Sequence, residues 1–325
     1  MTIDQSVFIP VDPDTAFALI TEPERLRRWQ TVAARVDLRV GGDYRWTITP
    51  GHSAAGTFTE IEPGKRVVFT WGWEGPAAPD ADASTVTITL EPGEGGTTVR
   101  LVHEGLSGES AAGHSEGWTH YLGRLLALAT AGDAGPDDWA AAPDPINELI
   151  SAEATLAIAQ RTLASLESAD MGLQTPCEDY TVAALVDHLA GSIAGIGRAL
   201  GAEFTDDAGA SPEVRVANIA APTLEAFNAR GLEGTIDMGF AVLPATTVAN
   251  ILNLEFLVHA WDFATAKGRT LEVSPILSDY VLGLAKETIA PGMRGHSFAE
   301  ETLVEESAGS LERLVAFTGR QSTNA

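Results

Sequence analysis

The hydrophobic pattern of this chain changes its period, and the change divides what the two halves can become. In residues 84–105, STVTITLEPGEGGTTVRLVHEG, Val86, Ile88 and Leu90 alternate with threonines. Val99, Leu101 and His103 alternate on a second arm. A period of two marks strands with one buried face, and the turn formers of EPGEGG join them as a hairpin. After Gly113 the period becomes helical: Trp118, Tyr121, Leu122, Leu125, Leu126 and Ala129 fall on one face.

The rest of the first 130 residues agrees with the hairpin. VFIPV opens as a short strand. DPDTAFALITEPERLRRW reads as two short helices, the second starting at Thr21 with Pro23 in its first turn. Extended segments are expected at 32–40, 43–49, 55–62 and 66–73. The long helix after Gly113 must bury its apolar stripe, and the concave face of a curved sheet is its natural partner. Residues 133–145, rich in Gly, Pro, Ala and Asp, read as a linker. From Ile146 onward the pattern is helical. Helices are expected over 146–168, from Thr181 as N-cap, and over 212–229, 245–267, 276–289 and 302–317. The fold class is therefore α+β: a unit at 1–132, a linker at 133–145, and an all-α unit of four-helix-bundle type at 146–325.

A chain of 325 residues supports two domains of ordinary size. Its formal net charge is -25, with acid in excess in both halves. That argues against nucleic acid, which needs a basic footprint, and against an anionic membrane surface. One cysteine, Cys177, excludes an intramolecular disulfide and fits a cytoplasmic location. The N-terminus does not read as a signal peptide, and no apolar run is long enough to span a membrane.

ILNLEFLVHAWDFATAKG (251–268) carries Glu255, His259 and Asp262 in an otherwise apolar helix. Spacings of four and seven residues put all three on one side. Buried ionisable groups are costly unless they are paired or bound to a metal. ALVDHLAG supplies Asp187 and His188 from another helix. His188, Glu255 and His259 would make a three-donor site for zinc, or for iron or manganese. Asp262, one turn beyond His259, would steady an imidazole from outside the coordination sphere. Spacing alone leaves a hydrogen-bonded polar network as the alternative.

TPCEDYTVAALVDHLAG and NLEFLVHAWDFATAKGR, with LERLVAFTGRQ near the end, resemble the mycothiol-dependent, maleylpyruvate-isomerase-type branch of the DinB-like family over about 147–321. The resemblance implies a four-helix bundle holding a divalent metal, usually zinc, through His188, Glu255 and His259. It also implies a low-molecular-weight thiol, mycothiol, as co-reactant, so that Cys177 reads as a buried structural residue rather than a nucleophile. Homologous bundles often pair, which leaves a homodimer open.

DPDTAFALITEPERLRRW, GGDYRW, GTFTEIEPGKRVVFTWGW, STVTITLE, TTVRLVHEGL and GWTHYLGRL resemble the START-like (SRPBCC) superfamily over about 3–130, in the branch related to activators of the heat-shock-protein-90 ATPase. The resemblance implies a helix-grip fold with an apolar cavity for a small-molecule ligand. Trp46, Trp71, His103, Trp118 and Tyr121 are its candidate lining, with Trp29, Phe58 and Trp73 beside them. Together the resemblances imply a metal- and thiol-dependent transferase or isomerase for a small hydrophobic or electrophilic molecule. The alternatives are a non-catalytic ligand-binding or stress-response protein and a chaperone accessory. No individual catalytic residue is assigned.

Overall fold

The computed structural model describes residues 1–75, 84–177, 180–295, 298–305 and 307–321. The chain divides into two compact units, Met1–Asp138 and Trp139–Ala325. The division falls inside the one-turn helix α4 (Asp138–Ala141), within the segment read as a linker.

The first unit is built on one antiparallel sheet of seven strands: β1 (Ile3–Ile9), β2 (Ala33–Val36), β3 (Asp43–Thr49), β4 (His52–Glu62), β5 (Arg66–Trp73), β6 (Ser84–Gly93) and β7 (Gly96–Glu104). Their order across the sheet is β1-β7-β6-β5-β4-β3-β2, so only the β1–β7 pairing joins strands far apart in sequence. The hairpin read from alternation is β6–β7, with Val86 opposite His103 and Leu90 opposite Val99. Gly95 takes its turn at φ 76°, a left-handed conformation natural only to glycine.

Two short helices follow β1. In α1 (Pro13–Thr21), Asp12 caps the first turn by accepting from Thr15 N, and Pro13 occupies the first helical position. The second, α2 (Pro23–Leu26), is preceded by Glu22 rather than by the expected Thr21, because α1 runs on through Thr21. The segment expected to be extended over 32–40 forms a strand only over Ala33–Val36. Asp37–Gly42 then turns back, with Asp37 N donating to Asp43 O.

The long helix α3 (Gly108–Ala131) starts at the cap Ser107 and stops where Gly132 turns left-handed, φ 78°. Its Trp118, Tyr121, Leu122 and Leu125 are buried with Val86, Ile88, Leu101, Phe69 and Trp71 of the sheet in one apolar core. A seven-stranded antiparallel sheet with a long C-terminal helix packed against it is the expected helix-grip arrangement.

The second unit is mostly helical, with α5 (Glu148–Ala164), α6 (Val182–Ala199), α7 (Pro212–Arg230), α8 (Ala245–Ala266), α9 (Pro275–Thr288) and α10 (Ser310–Phe317). Packing of α5 on α8, α6 on α7, α5 on α7 and α6 on α8 closes a four-helix core, while α9 and α10 pack on each other and on α8. Thr181 is the N-cap of α6, as read, and Ser211 with Pro212 starts α7. The last helix begins at Ser310 rather than 302. Gly309 interrupts the periodicity there, and Leu303, inside the expected range, is fully exposed. A two-stranded ribbon, β8 (Thr235–Asp237) with β9 (Val242–Pro244), leads into α8 and was not expected. No helix among the described residues is long and apolar enough to cross a membrane.

Candidate metal centre

Helix α8 is buried almost all round, so its polar residues sit in apolar surroundings. Glu255, His259 and Asp262 occupy one side of it. His188 reaches the same point from α6, which packs on α8. One donor atom from each of His188, Glu255 and His259 lies within 4.8 Å of the others. Glu255 Oε2 is 3.4 Å from His259 Nε2 and 3.7 Å from His188 Nε2. Two donors each about 2.1 Å from one ion at a tetrahedral angle stand about 3.4 Å apart. The spacing therefore suits a shared cation.

The protons point the same way. His259 Nδ1 lies 3.0 Å from Asp262 Oδ2, so this nitrogen carries the hydrogen and donates it to the carboxylate. Its Nε2 faces Glu255, and losing the hydrogen there would turn a lone pair toward an ion held between the two. Oε2 of Glu255 is buried and has no hydrogen-bond partner. A carboxylate oxygen in that position is expensive unless a cation or donor meets it, so the residues present fit a divalent metal.

The electrostatics follow from crowding. Burial pushes the Glu255 carboxyl up, but His259, His188 and the Ser192 hydroxyl together hold it below its usual range. Burial would lower His259, yet Asp262 and Glu255 overcome it and hold the imidazole above its ordinary value. His188 is shifted down, first by burial, against the opposing pull of Glu255. The rings of His188 and His259 stand 5.3 Å apart and perpendicular, with Tyr180 5.2 Å from His188 on its other side. The His188 side chain is 38% exposed against 8% for His259, so the group opens to solvent on the α6 side.

Asp262 lies where the sequence reading put it, but its second partner was missed. Arg320, beyond α10, donates from Nε to Oδ1 at 3.3 Å and from Nη2 to Oδ2 at 3.0 Å. Its Nη1 donates to Thr318 O. Asp262 is fully buried and Arg320 only 8% exposed. A GR pair after a short helix gave no sign of this; only a buried arginine's need for a carboxylate could have suggested it. Asp187, next to His188, turns away to pair with Arg215, which also holds Asp206. Cys177 is half-buried rather than buried, in the turn whose Cys177 carbonyl accepts from Tyr180 N.

The candidate residues of the sheet unit also come together. Trp71 stands 6.1 Å from Trp46, 6.1 Å from His103 and 5.2 Å from Trp118, measured between ring centres. His103 is buried and neutral in its geometry: Nδ1 accepts from Trp118 Nε1 at 3.0 Å, and Nε2 donates to Ser84 Oγ at 2.9 Å. Tyr121 is buried on the same helix face, its hydroxyl pushed up by burial and by Asp137. Trp29 donates to Leu19 O, tying α1 to the segment after α2.

Two family models match this chain in tandem. Residues 10–130 match the Activator of Hsp90 ATPase homolog 1-like protein family. Residues 152–264 match the Mycothiol maleylpyruvate isomerase N-terminal domain. The second match contains His188, Glu255, His259 and Asp262; Arg320 lies outside it. An uncharacterized protein of Mycobacterium tuberculosis, Rv0738, is 28% identical over 162 residues, which is 49% of this chain and 89% of that protein. Among solved structures, DynU16, a putative protein in the dynemicin biosynthetic locus, is similar with 23% identity and a TM-score of 0.38. The match covers 42% of this chain and half the length, 50%, of that one. The AHSA1-like protein of Rhizobium etli is 38% identical with a TM-score of 0.36, over 45% of this chain and 88% of its own. The chain thus carries an Hsp90-activator-like unit followed by a mycothiol-isomerase-like bundle.

Proposed function

We propose that the bundle is a divalent-metal centre, zinc by its donor set, that serves a thiol-dependent transfer or isomerisation of a small electrophile, with mycothiol as the thiol. The observation that carries this reading is the buried, partnerless Oε2 of Glu255 facing two imidazoles. Two imidazoles and one carboxylate suit zinc with a position left for another ligand. Among the described residues no fourth His, Cys, Asp or Glu joins the group, and the exposure of His188 leaves an approach. The match to a mycothiol-isomerase domain supports the choice of thiol.

When bound, the metal would supply a Lewis acid that lowers the pKa of a thiol in its open position. The chain's own residues do the rest. His188, Glu255 and His259 would hold the ion. Asp262 keeps His259 in the tautomer that presents Nε2, and Arg320 keeps Asp262 in place. Tyr180 stands beside His188 at the exposed edge.

The test is metal content. Purified protein is expected to hold about one zinc per chain by elemental analysis. His188→Ala, Glu255→Gln and His259→Ala should each lose most of it. Full occupancy in the His188→Ala/His259→Ala double variant would end the metal reading. A calorimetric titration with mycothiol, with and without chelator, then tests the thiol; equal binding in both arms would detach the thiol from the metal.

A further inference from the structure

Helix α10 has eight residues, too few to hold a helix in water on their own. Yet the chain that leaves it delivers Arg320 to Asp262. The last carbonyls of a helix lack partners within it, and here each finds one. Leu314 O accepts from Thr318 N at 3.0 Å, and Val315 O from Arg320 N at 2.9 Å. Ala316 O accepts from Gly319 N at 2.9 Å and from Thr302 N at 3.0 Å. Phe317 O accepts from Arg294 Nη1 at 2.7 Å. The bonds from Gly319 and Arg320 close the helix as a Schellman turn, with Gly319 at φ 87°.

A second stretch of chain crosses that turn. A Cβ at Gly319 would lie 2.6 Å from Ala299 Cβ, so the two backbones touch. Arg294 Nη1 also donates to Ala299 O at 2.9 Å, and its guanidinium lies 4.7 Å from the Phe317 ring centre. Thr302 Oγ1 donates to Arg320 O at 2.8 Å. Exposure alternates here: Thr302 and Val304 are half-buried, while Glu301, Leu303 and Glu305 are exposed. Burial of apolar surface alone would turn Leu303 inward. The register instead sets a threonine against Arg320 and leaves a leucine in water, and the two bonds that Thr302 makes account for it.

We propose that Thr302 and Arg294 are positioning residues for the metal centre, holding the Arg320 backbone so that its guanidinium meets Asp262 and steadies His259. The consequence for metal rests on the reading of the bundle given above; the placement of Arg320 does not. The contacts run from Thr302 Oγ1 to Arg320 O, from Arg320 Nη2 to Asp262 Oδ2, and from His259 Nδ1 to the same Oδ2. A guanidinium that meets both oxygens of one carboxylate tolerates little displacement. A small shift of this backbone is therefore felt at His259. Both residues lie beyond the stretch that matches the isomerase domain, so chain outside the four-helix core tunes the affinity of the site within it.

The test compares the two ends of α10 in the whole chain. Thr302→Val keeps the shape of the side chain and the backbone N–H, and removes only the hydroxyl. Ser278→Ala removes the 2.6 Å contact between Ser278 Oγ and Ser310 Oγ at the start of the same helix. Zinc affinity is read by competition with a chromogenic chelator. In metal-free protein labelled with 15N, the second reading is solvent exchange of the Arg320 Nε–H, which donates to Asp262; Arg320→Met assigns its resonance. Thr302→Val is expected to weaken zinc binding about tenfold and to speed this exchange, and Thr302→Ser to restore both. Arg294→Met should act as Thr302→Val does, which covers a valine variant that fails to fold. Ser278→Ala should lower the melting temperature and leave both readings unchanged. Unaltered exchange in folded Thr302→Val and Arg294→Met proteins would overturn the proposal. So would equal weakening of zinc binding by Ser278→Ala, which would reduce both residues to general stability. Should the unsubstituted protein take up no zinc, the metal reading fails and the exchange of the Arg320 N–H alone decides the placement.

Discussion

Asp262 accepts from His259 Nδ1 on one side and from the Arg320 guanidinium on the other, with no exposure to water. Burial raises its pKa, but the imidazole and the guanidinium more than compensate, so it stays ionised. Replacing Arg320 with methionine would leave that charge buried beside one imidazole. Removing one partner of a buried pair costs about 3–5 kcal/mol. The supports of metal ligands are worth about 10–100-fold in metal affinity. Arg320→Met is therefore expected to lower both thermal stability and zinc affinity, the latter read by competition with a chromogenic chelator. Arg320→Lys should recover little, because an ammonium cannot make the two-pronged contact with Oδ1 and Oδ2. Unchanged zinc affinity in a folded Arg320→Met protein would reduce the arginine to packing. Helical spacing and motif order single out His188, Glu255, His259 and Asp262, and the fold brings their side chains together. Neither singles out Arg320, which joins them from 58 positions away, outside any helix that presents it at a readable phase.

On the scale of elements, α6 brings His188 to α8 and is held close to α7. A Cβ built at Gly197 would lie 2.4 Å from Thr223 Oγ1 and 2.7 Å from Phe204 Cε1. At Gly191, on the exposed side of the same helix, it would meet nothing within 4 Å. Either Gly→Ala change gains about 1 kcal/mol of helix propensity. At Gly197 that gain is set against overpacking of about 1–3 kcal/mol. Denaturant unfolding should show Gly191→Ala stabilising by up to about 1 kcal/mol and Gly197→Ala destabilising by a similar amount. Opposite signs on one helix would locate the tight α6–α7 contact; equal signs would refute it. The strands were legible because Thr85–Leu90 and Thr97–His103 alternate without a break. The β8–β9 ribbon was not, since three residues are too few to establish a period. The start of the last helix was misread because Leu303 and Val304 extend its apolar spacing, while the backbone restarts only after Gly309.

Across the whole molecule, each unit has its own core: one built on the sheet with α3, the others within the bundle. The groups buried in the two units differ in how they respond to acid between pH 5 and 6.5. In the sheet unit, burial chiefly, and the nearby His114, hold the His103 pKa down at about 3. Unfolded, the same ring titrates near 6.5. The contribution of neutral His103 is thus complete above pH 6.5 and declines as pH falls from there towards 3. Protonation would also deprive the Trp118 N–H of its acceptor. Over the first 1.5 units the loss is about 2 kcal/mol. In the bundle, Glu255 and Asp262 have folded pKa values below the ordinary carboxylate range, so their contribution is intact at pH 5. His259, raised in the fold, keeps its contribution at low pH. In protein stripped of metal by a chelator, lowering the pH from 7 to 5 is therefore expected to weaken the sheet unit first. Fluorescence from Trp71 and Trp118 should report this at a lower denaturant concentration, while the helical signal of the bundle is retained. His103→Gln removes the titration, so its unfolding midpoint should change less over the same range. A sheet-unit midpoint independent of pH in the unsubstituted protein would mean that His103 is not held neutral by its burial.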